Sequence, residues 1–260
     1  MSVGNLEFSI LWPAFLAGLL VLATHVPLGQ QVLNRGIVFI DLAIAQVAGL
    51  GVTAADAFGF EPEGWRVQVA AIGAALIGAL LLTWTEKKWP EVQEALIGVL
   101  FVVAACIELL ILANNPHGGE HLKDLLVGQI LWVSAKSLIP IAILYAIALL
   151  VWFTVRARIG QAGFYLLFAI VVTQSVQLVG IYLVFASLIV PALAAKRFAE
   201  GYRLRIGYAV GLIGYVAGLV ASSLFDLPTG AVIVVSLLVT FIVAIAISLT
   251  VPMRLRAVTA

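Results

Sequence analysis

Charge is what this 260-residue sequence has least of. Lys and Arg number 14 and Asp and Glu 13, together 10% of the chain. Soluble domains carry ~25% charged residues, so an ordinary water-soluble fold is excluded. A net charge of +1 offers no basic surface for a nucleic-acid partner. The single cysteine, Cys106, lies in an apolar segment and can form no intrachain disulfide. There is no G-x-x-x-x-G-K-[ST] loop for a nucleotide, no H-E-x-x-H and no G-x-G-D pairing. Any ATP this protein uses is therefore bound by another chain. No basic stretch precedes the first apolar run in 1-MSVGNLEFSI-10, so that run reads as a retained span and not a cleaved signal.

What is present is apolar. The chain is 63% hydrophobic with a mean hydropathy of +1.17. Runs such as 9-SILWPAFLAGLLVLA-23 and 229-TGAVIVVSLLVTFIVAIAISL-249 are continuous and lack the period-two alternation of an outer-membrane barrel. The fold class expected is all-α, a polytopic membrane bundle of about eight to nine segments. Spans are expected near 9–27, 36–58, 66–84, 94–113, 137–155, 207–224 and 229–250. The stretch 163–195 is too long for one crossing and short for two. Basic residues arbitrate. With the N-terminus outside and 163–195 going out and back, the cytoplasmic side holds Arg35, Lys87, Lys88, Arg156, Arg158, Lys196, Arg197, Arg203, Arg205, Arg254 and Arg256. Only Arg66, Lys123 and Lys136 are then left outside. This favours two short segments, 163–178 and 180–195, meeting at Val179–Gly180 as a broken passage of the kind that lines an enclosed cavity. The remaining loops are too short for a soluble domain, so 1–260 reads as a single membrane domain.

Four segments carry more. The run 180-GIYLVFASLIVPALAAKRFA-199 resembles a signature of the ABC-type zinc/manganese (divalent metal ion) permease family. So do 218-GLVASSLFDLPTGAVIVV-235, 28-LGQQVLNRGIVFIDLAIAQVAGLGV-52 and 124-DLLVGQILWVS-134, all in family order. The resemblance implies the permease fold of metal/cobalamin-type importers. It also implies two permease subunits, two cytosolic ATPases and an extracytoplasmic metal-binding protein, working in the inner membrane of a bacterium, and no cofactor held by this chain beyond the metal it passes. On pattern alone, 187-SLIVPALAAKRFAEGYRLR-205 reads as a short cytosolic helix opening at Pro191 and stopping at Gly201, or simply as a basic loop. The resemblance makes it the ATPase-coupling segment, with Pro191, Ala192, Lys196, Arg197, Phe198 and Arg203 as its residues.

The candidate metal residues are Asp41, Gln46, Glu108, His117 and His121. A carboxylate near a helix centre costs ~3 kcal/mol on insertion scales and usually faces a bundle interior. Asp41, Ala45, Ala48, Val52 and Ala55 fall on one helical stripe of mostly small residues, which points Asp41 into protein. The family carries an aspartate and, four residues on, a histidine; here Gln46 stands where the resemblance expects the histidine, five residues after Asp41. Five residues place two side chains about 140° apart on a regular helix. Asp41 and Gln46 thus either line a pathway or brace the bundle through interhelical hydrogen bonds. Glu108, in 104-AACIELLILAN-114, is either a snorkelling or hydrogen-bonded residue or a site on the way in. The loop 114-NNPHGGEHLKD-124 gathers His117, Glu120 and His121 in a pattern that ordinary solvated loops share. His25 reads as an interfacial residue at the inner end of the first helix. The competing function is an ion- or proton-coupled secondary transporter using Asp41 and Glu108. A membrane enzyme is disfavoured by the lack of any nucleophile–base pair.

Overall fold

The computed structural model describes residues 8–61, 64–113, 115, 118–155, 158 and 160–250. Ten α-helices follow in order: α1 (Phe8–Arg35), α2 (Ile40–Ala57), α3 (Trp65–Lys88), α4 (Gln93–Leu112), α5 (Gly118–Val127), α6 (Leu138–Val155), α7 (Gly160–Val179), α8 (Ile181–Ala195), α9 (Glu200–Phe225) and α10 (Thr229–Thr250). Among the described residues, all but α5 and α8 are long and apolar enough to cross a membrane, eight in total. The protein is a multi-pass, all-α membrane protein.

The helices sort into two compact units. One holds residues 1–35, 127–145 and 178–260. Its packing is organised by glycines on α9. Gly207 and Gly211 lie against Val26 and Leu22 of α1, while Gly214 and Gly218 lie against Leu237 and Ile233 of α10. A Cβ at Gly211 would come 2.5 Å from Leu22, and one at Gly218 2.5 Å from the backbone of Ile233. Recurring at i, i+4, i+7 and i+11, these positions leave α9 wedged between two neighbours at backbone distance. Polar groups on the same helices are matched: Ser187 Oγ and Tyr215 Oη are 2.8 Å apart, and Tyr208 Oη donates to the Ala23 carbonyl at 3.0 Å.

The passage over 163–195 is broken where the sequence suggested. Helix α7 ends at Val179, Gly180 takes φ +82°, and α8 starts at Ile181. Gly128, at φ +72°, sits directly against this break, and Gly230 of α10 sits against the Val127 carbonyl. The break thus lies at the same end of this unit as the α9–α10 turn. Helix α8 then runs to the opposite end, where Lys196 and Arg197 are exposed.

The other unit holds residues 36–126 and 146–177. Here α2 is the central helix, buried along most of its length between α3 and α4. Gly51 lets α2 approach Ala70, Ala71 and Ala74 of α3, and Gly78 of α3 receives Val47. Gln93 fixes the α3–α4 corner: its Nε2 donates to the Leu82 carbonyl at 3.0 Å and its Oε1 accepts from Thr85 at 2.9 Å.

Several expectations are corrected. The first span does not end at 27 but continues to Arg35, with Pro27 inside it. Residues 118–124, expected as part of a loop over 114–124, lie in α5, which runs on to Val127. No separate docking helix opens at Pro191: that proline lies inside α8, and Gly201 lies in the first turn of α9, so the break is the tight turn 196–199. Neighbouring helices re-satisfy the backbone that an internal proline frees, which is why α8 continues through it. His25 is not interfacial but fully buried in α1, with Nδ1 2.9 Å from the Val21 carbonyl.

Candidate functional site

The polar residues of α2 divide between two faces, as their five-residue spacing requires. Asp41 stands in the first turn of the helix, not near its centre. It is fully buried, and neither carboxylate oxygen has a hydrogen-bond partner among the described residues. Its stripe-mates Ala45, Ala48 and Ala55 are buried as well, so the stripe does face protein. Among the described residues Asp41 braces nothing through hydrogen bonds, and burying a carboxylate in that state is costly.

Gln46 belongs to the second face. Its Nε2 donates to Glu108 Oε2 of α4, and Thr53 Oγ1 donates to Glu108 Oε1 at 2.9 Å. All three side chains are buried. Gln46, Gly49 and Thr53 fall at i, i+3 and i+7, one face of α2 turned toward α4. Gly49 faces this carboxylate: a Cβ at that position would lie 3.6 Å from Glu108 Oε1 and 3.9 Å from Leu125 of α5. Glu108 therefore does not snorkel. Above it, a cavity of about 200 Å³ opens at the shared end of α2 and α4, lined by Thr53, Asp56, Ala57, Ile111, Leu112 and Asn115.

The structure thus unites two of the expected metal residues, Gln46 and Glu108, and records no contact from Asp41 to either. His117 lies outside the described residues, as does the side chain of His121, whose backbone is in α5. No group of three His, Cys, Asp or Glu side chains converges among the described residues. Sequence reading missed Thr53 and Asp56; the signal for Thr53 was its seven-residue distance from Gln46.

In the segment expected to couple to an ATPase, Pro191, Ala192 and Phe198 are buried while Lys196 and Arg197 are exposed. Arg203 Nε donates to the Phe198 carbonyl at 3.2 Å, tying the first turn of α9 to the 196–199 turn. Two exposed cations are thereby presented on a fixed corner.

The model of the ABC 3 transport family matches residues 7–162 and 154–248, nearly the whole chain. The chain belongs to that family. Its curated relatives include the high-affinity zinc uptake system membrane protein ZnuB of Haemophilus influenzae, 24% identical over 88% of this chain and 94% of that protein. The manganese transport system membrane protein MntC of Halalkalibacterium halodurans is 26% identical over 88% of this chain and 84% of that one. Among solved structures, PsaBC from Streptococcus pneumoniae in complex with Fab matches with a TM-score of 0.74 at 20% identity, covering 93% of this chain and 92% of that chain. The ABC 3 fold and the order of its segments are therefore those the sequence resembled. Membership makes this chain a transport permease, with ATP hydrolysis on a separate subunit. It disfavours the secondary-transporter alternative.

Proposed function

We propose that this ABC 3 permease forms the membrane path of an ATP-driven importer for a divalent transition-metal ion, zinc or manganese. It works as a pair of permease subunits in the bacterial cytoplasmic membrane, N-terminus outside. Cytosolic ATPases bind the corner formed by Pro191, Ala192, Lys196, Arg197, Phe198 and Arg203, and an extracytoplasmic protein delivers the ion. The observation that carries this reading is the family match over nearly the full chain, among whose relatives are proteins named for zinc and for manganese transport. The buried Asp41 supports it, because a buried carboxylate without a hydrogen-bond partner among the described residues, on a membrane-crossing helix, is the ordinary mark of a cation path. Gln46 and Glu108 form a second polar position on that path, and His117 and His121 are the remaining candidate ligands.

The test is metal uptake in cells lacking other importers, with this permease, its ATPase and the extracytoplasmic binding protein expressed together, compared across zinc, manganese, iron and cobalt. Accumulation of at least one ion that disappears when the ATPase is inactivated is expected. Failure to accumulate any of the four by a complex that assembles normally would overturn the reading.

A further inference from the structure

Helices α9 and α10 pack side by side within one unit, and a groove of about 450 Å³ runs between them. Its walls include Tyr202, Ile206 and Ile213 of α9 and Val239, Val243 and Ile247 of α10. Its floor is Val210 and Ala244, which cluster with Ala194 of α8. Ala209, exposed on α9, is too small to fill the gap. Thr240 is the polar side chain inside the groove, and its hydroxyl donates to the Leu237 carbonyl at 2.8 Å. The groove therefore suits an apolar guest. Both helices are long and apolar enough to cross a membrane. At that depth a wall without a partner forfeits its dispersion contacts, so a lipid chain or another helix fills the space.

One end of the groove is basic. Phe198, in the 196–199 turn, lines it there, and Tyr202 stands in the first turn of α9. On a helix, positions 203 and 205 flank the stripe of 202 and 206, one on each side. Both are arginines, Arg205 exposed and Arg203 half-buried. Lys196 and Arg197 are exposed in the adjoining turn. Against these four cations, Glu200 is the one acid between 196 and 206. From Tyr202 to Ile213 the groove extends about 16 Å along α9. A bilayer's hydrocarbon core is ~30 Å thick, so the groove spans about one leaflet.

We propose that this groove binds an anionic phospholipid, with one acyl chain lying between α9 and α10 and the phosphate held at the basic end by Arg205. Basic pockets between membrane helices suit such headgroups, and each Lys or Arg near the surface adds to the attraction. A zwitterionic lipid would bring its own cation to the same corner and gain less. A second copy of this chain is the rival occupant, and charge disfavours it. Like-oriented copies in one bilayer are related by an axis along the membrane normal. A groove shared between them would set the same four cations against each other at equal depth. On the topology proposed above, the lipid belongs to the cytoplasmic leaflet.

The experiment titrates the delipidated permease–ATPase complex with phosphatidylglycerol or with phosphatidylcholine of identical acyl chains. Native mass spectrometry reads the affinity of the first lipid bound. Wild type is expected to hold phosphatidylglycerol about fivefold or more tighter than phosphatidylcholine. Arg205→Gln should erase most of that preference, and Arg205→Lys should keep it. Ala209→Phe fills the groove and should weaken both lipids alike. Positions 205 and 209 are exposed, so these variants disturb no buried contact, and assembly with the ATPase is checked for each. Wild type without a preference, a preference that survives Arg205→Gln, or lipid binding that Ala209→Phe leaves unchanged would each overturn the proposal. Ala209→Phe that separates paired permeases while lipid binding stays at the wild-type level would assign the groove to the second copy instead.

Discussion

Gly128 and Gly180 meet backbone to backbone, each at positive φ and each with no room for a side chain. A Cβ on Gly128 would lie 2.2 Å from the Val179 carbonyl, and one on Gly180 2.3 Å from the Gly128 nitrogen. This contact holds the α7–α8 break, and with it the length of α8 that ends at the 196–199 turn.

Alanine at either position should therefore be severe. The left-handed conformation alone costs about 1–3 kcal/mol in a non-glycine residue, and the overlap with backbone adds to it. Gly36 supplies the control, since it also has positive φ but nothing within contact of a Cβ. Thermal melting of the purified permease should show Gly36→Ala slightly destabilised and Gly180→Ala poorly folded or unrecoverable. Equal melting temperatures would remove the Gly128–Gly180 contact from any structural role.

The glycine face of α9 gives a second comparison. Gly211→Ala and Gly218→Ala push a methyl into Leu22 and Ile233, where the helices already touch. Gly201→Ala, in the first turn with open space around it, should be neutral or stabilising because alanine is the better helix former. Losses of about 1–3 kcal/mol are expected for the first two, read as lowered melting temperatures.

For Asp41 the expectation is asymmetric between stability and transport. Both oxygens lack a hydrogen-bond partner, so Asp41→Asn breaks no contact and should leave expression and melting unchanged or improved. Metal uptake should nevertheless collapse, because the charge that meets the cation is gone. A variant that transports at the wild-type rate would make the carboxylate dispensable to transport.

At the corner proposed to bind the ATPase, Lys196→Glu and Arg197→Glu reverse two exposed charges without disturbing the buried side of the turn. Co-purification with the ATPase should weaken, more so at low than at high salt, since charges at the rim of an interface act over the screening length of the solvent. Arg203→Ala should act differently. It removes the bond to the Phe198 carbonyl, loosening the corner, and its effect should not depend on salt. Undiminished co-purification in all three variants would place the ATPase contact elsewhere.

Sidedness is checked by labelling single cysteines in a Cys106→Ala background with an impermeant thiol reagent; the native Cys106 is itself exposed on α4. A cysteine at 226, in the α9–α10 turn, should label from outside. One at 201 should label only when the cytoplasmic face is opened. The reverse pattern would invert the assigned topology.

Long apolar runs made the crossing helices legible, because a bilayer admits few other ways to satisfy twenty consecutive peptide groups. Their ends were less so. Pro27 and Pro191 look like punctuation in a sequence, yet packed neighbours let α1 and α8 run through them. The Gly-Gly pair at 118–119 looked like loop and instead opens α5. At the site, the 3.6-residue period correctly turned Asp41 toward protein and separated it from Gln46. The partner of Gln46 was not readable, because Glu108 is 62 residues away and only the packing of α2 on α4 brings it in. Thr53 was within reach of sequence reasoning, one face and two turns along from Gln46, but a threonine among alanines carries little signal until the carboxylate it serves is placed.

The central claim, an ATP-driven metal path through this permease, is tested most directly in sealed proteoliposomes. These would contain the permease–ATPase complex, ATP on the ATPase side, and manganese or zinc presented on the opposite side with the extracytoplasmic binding protein. Accumulation that requires ATP, persists when the proton gradient is collapsed and is lost in Asp41→Asn is the result predicted. Accumulation driven by a proton gradient without ATP, abolished by neutralising Asp41 or Glu108, would contradict the account and restore the secondary-transporter reading.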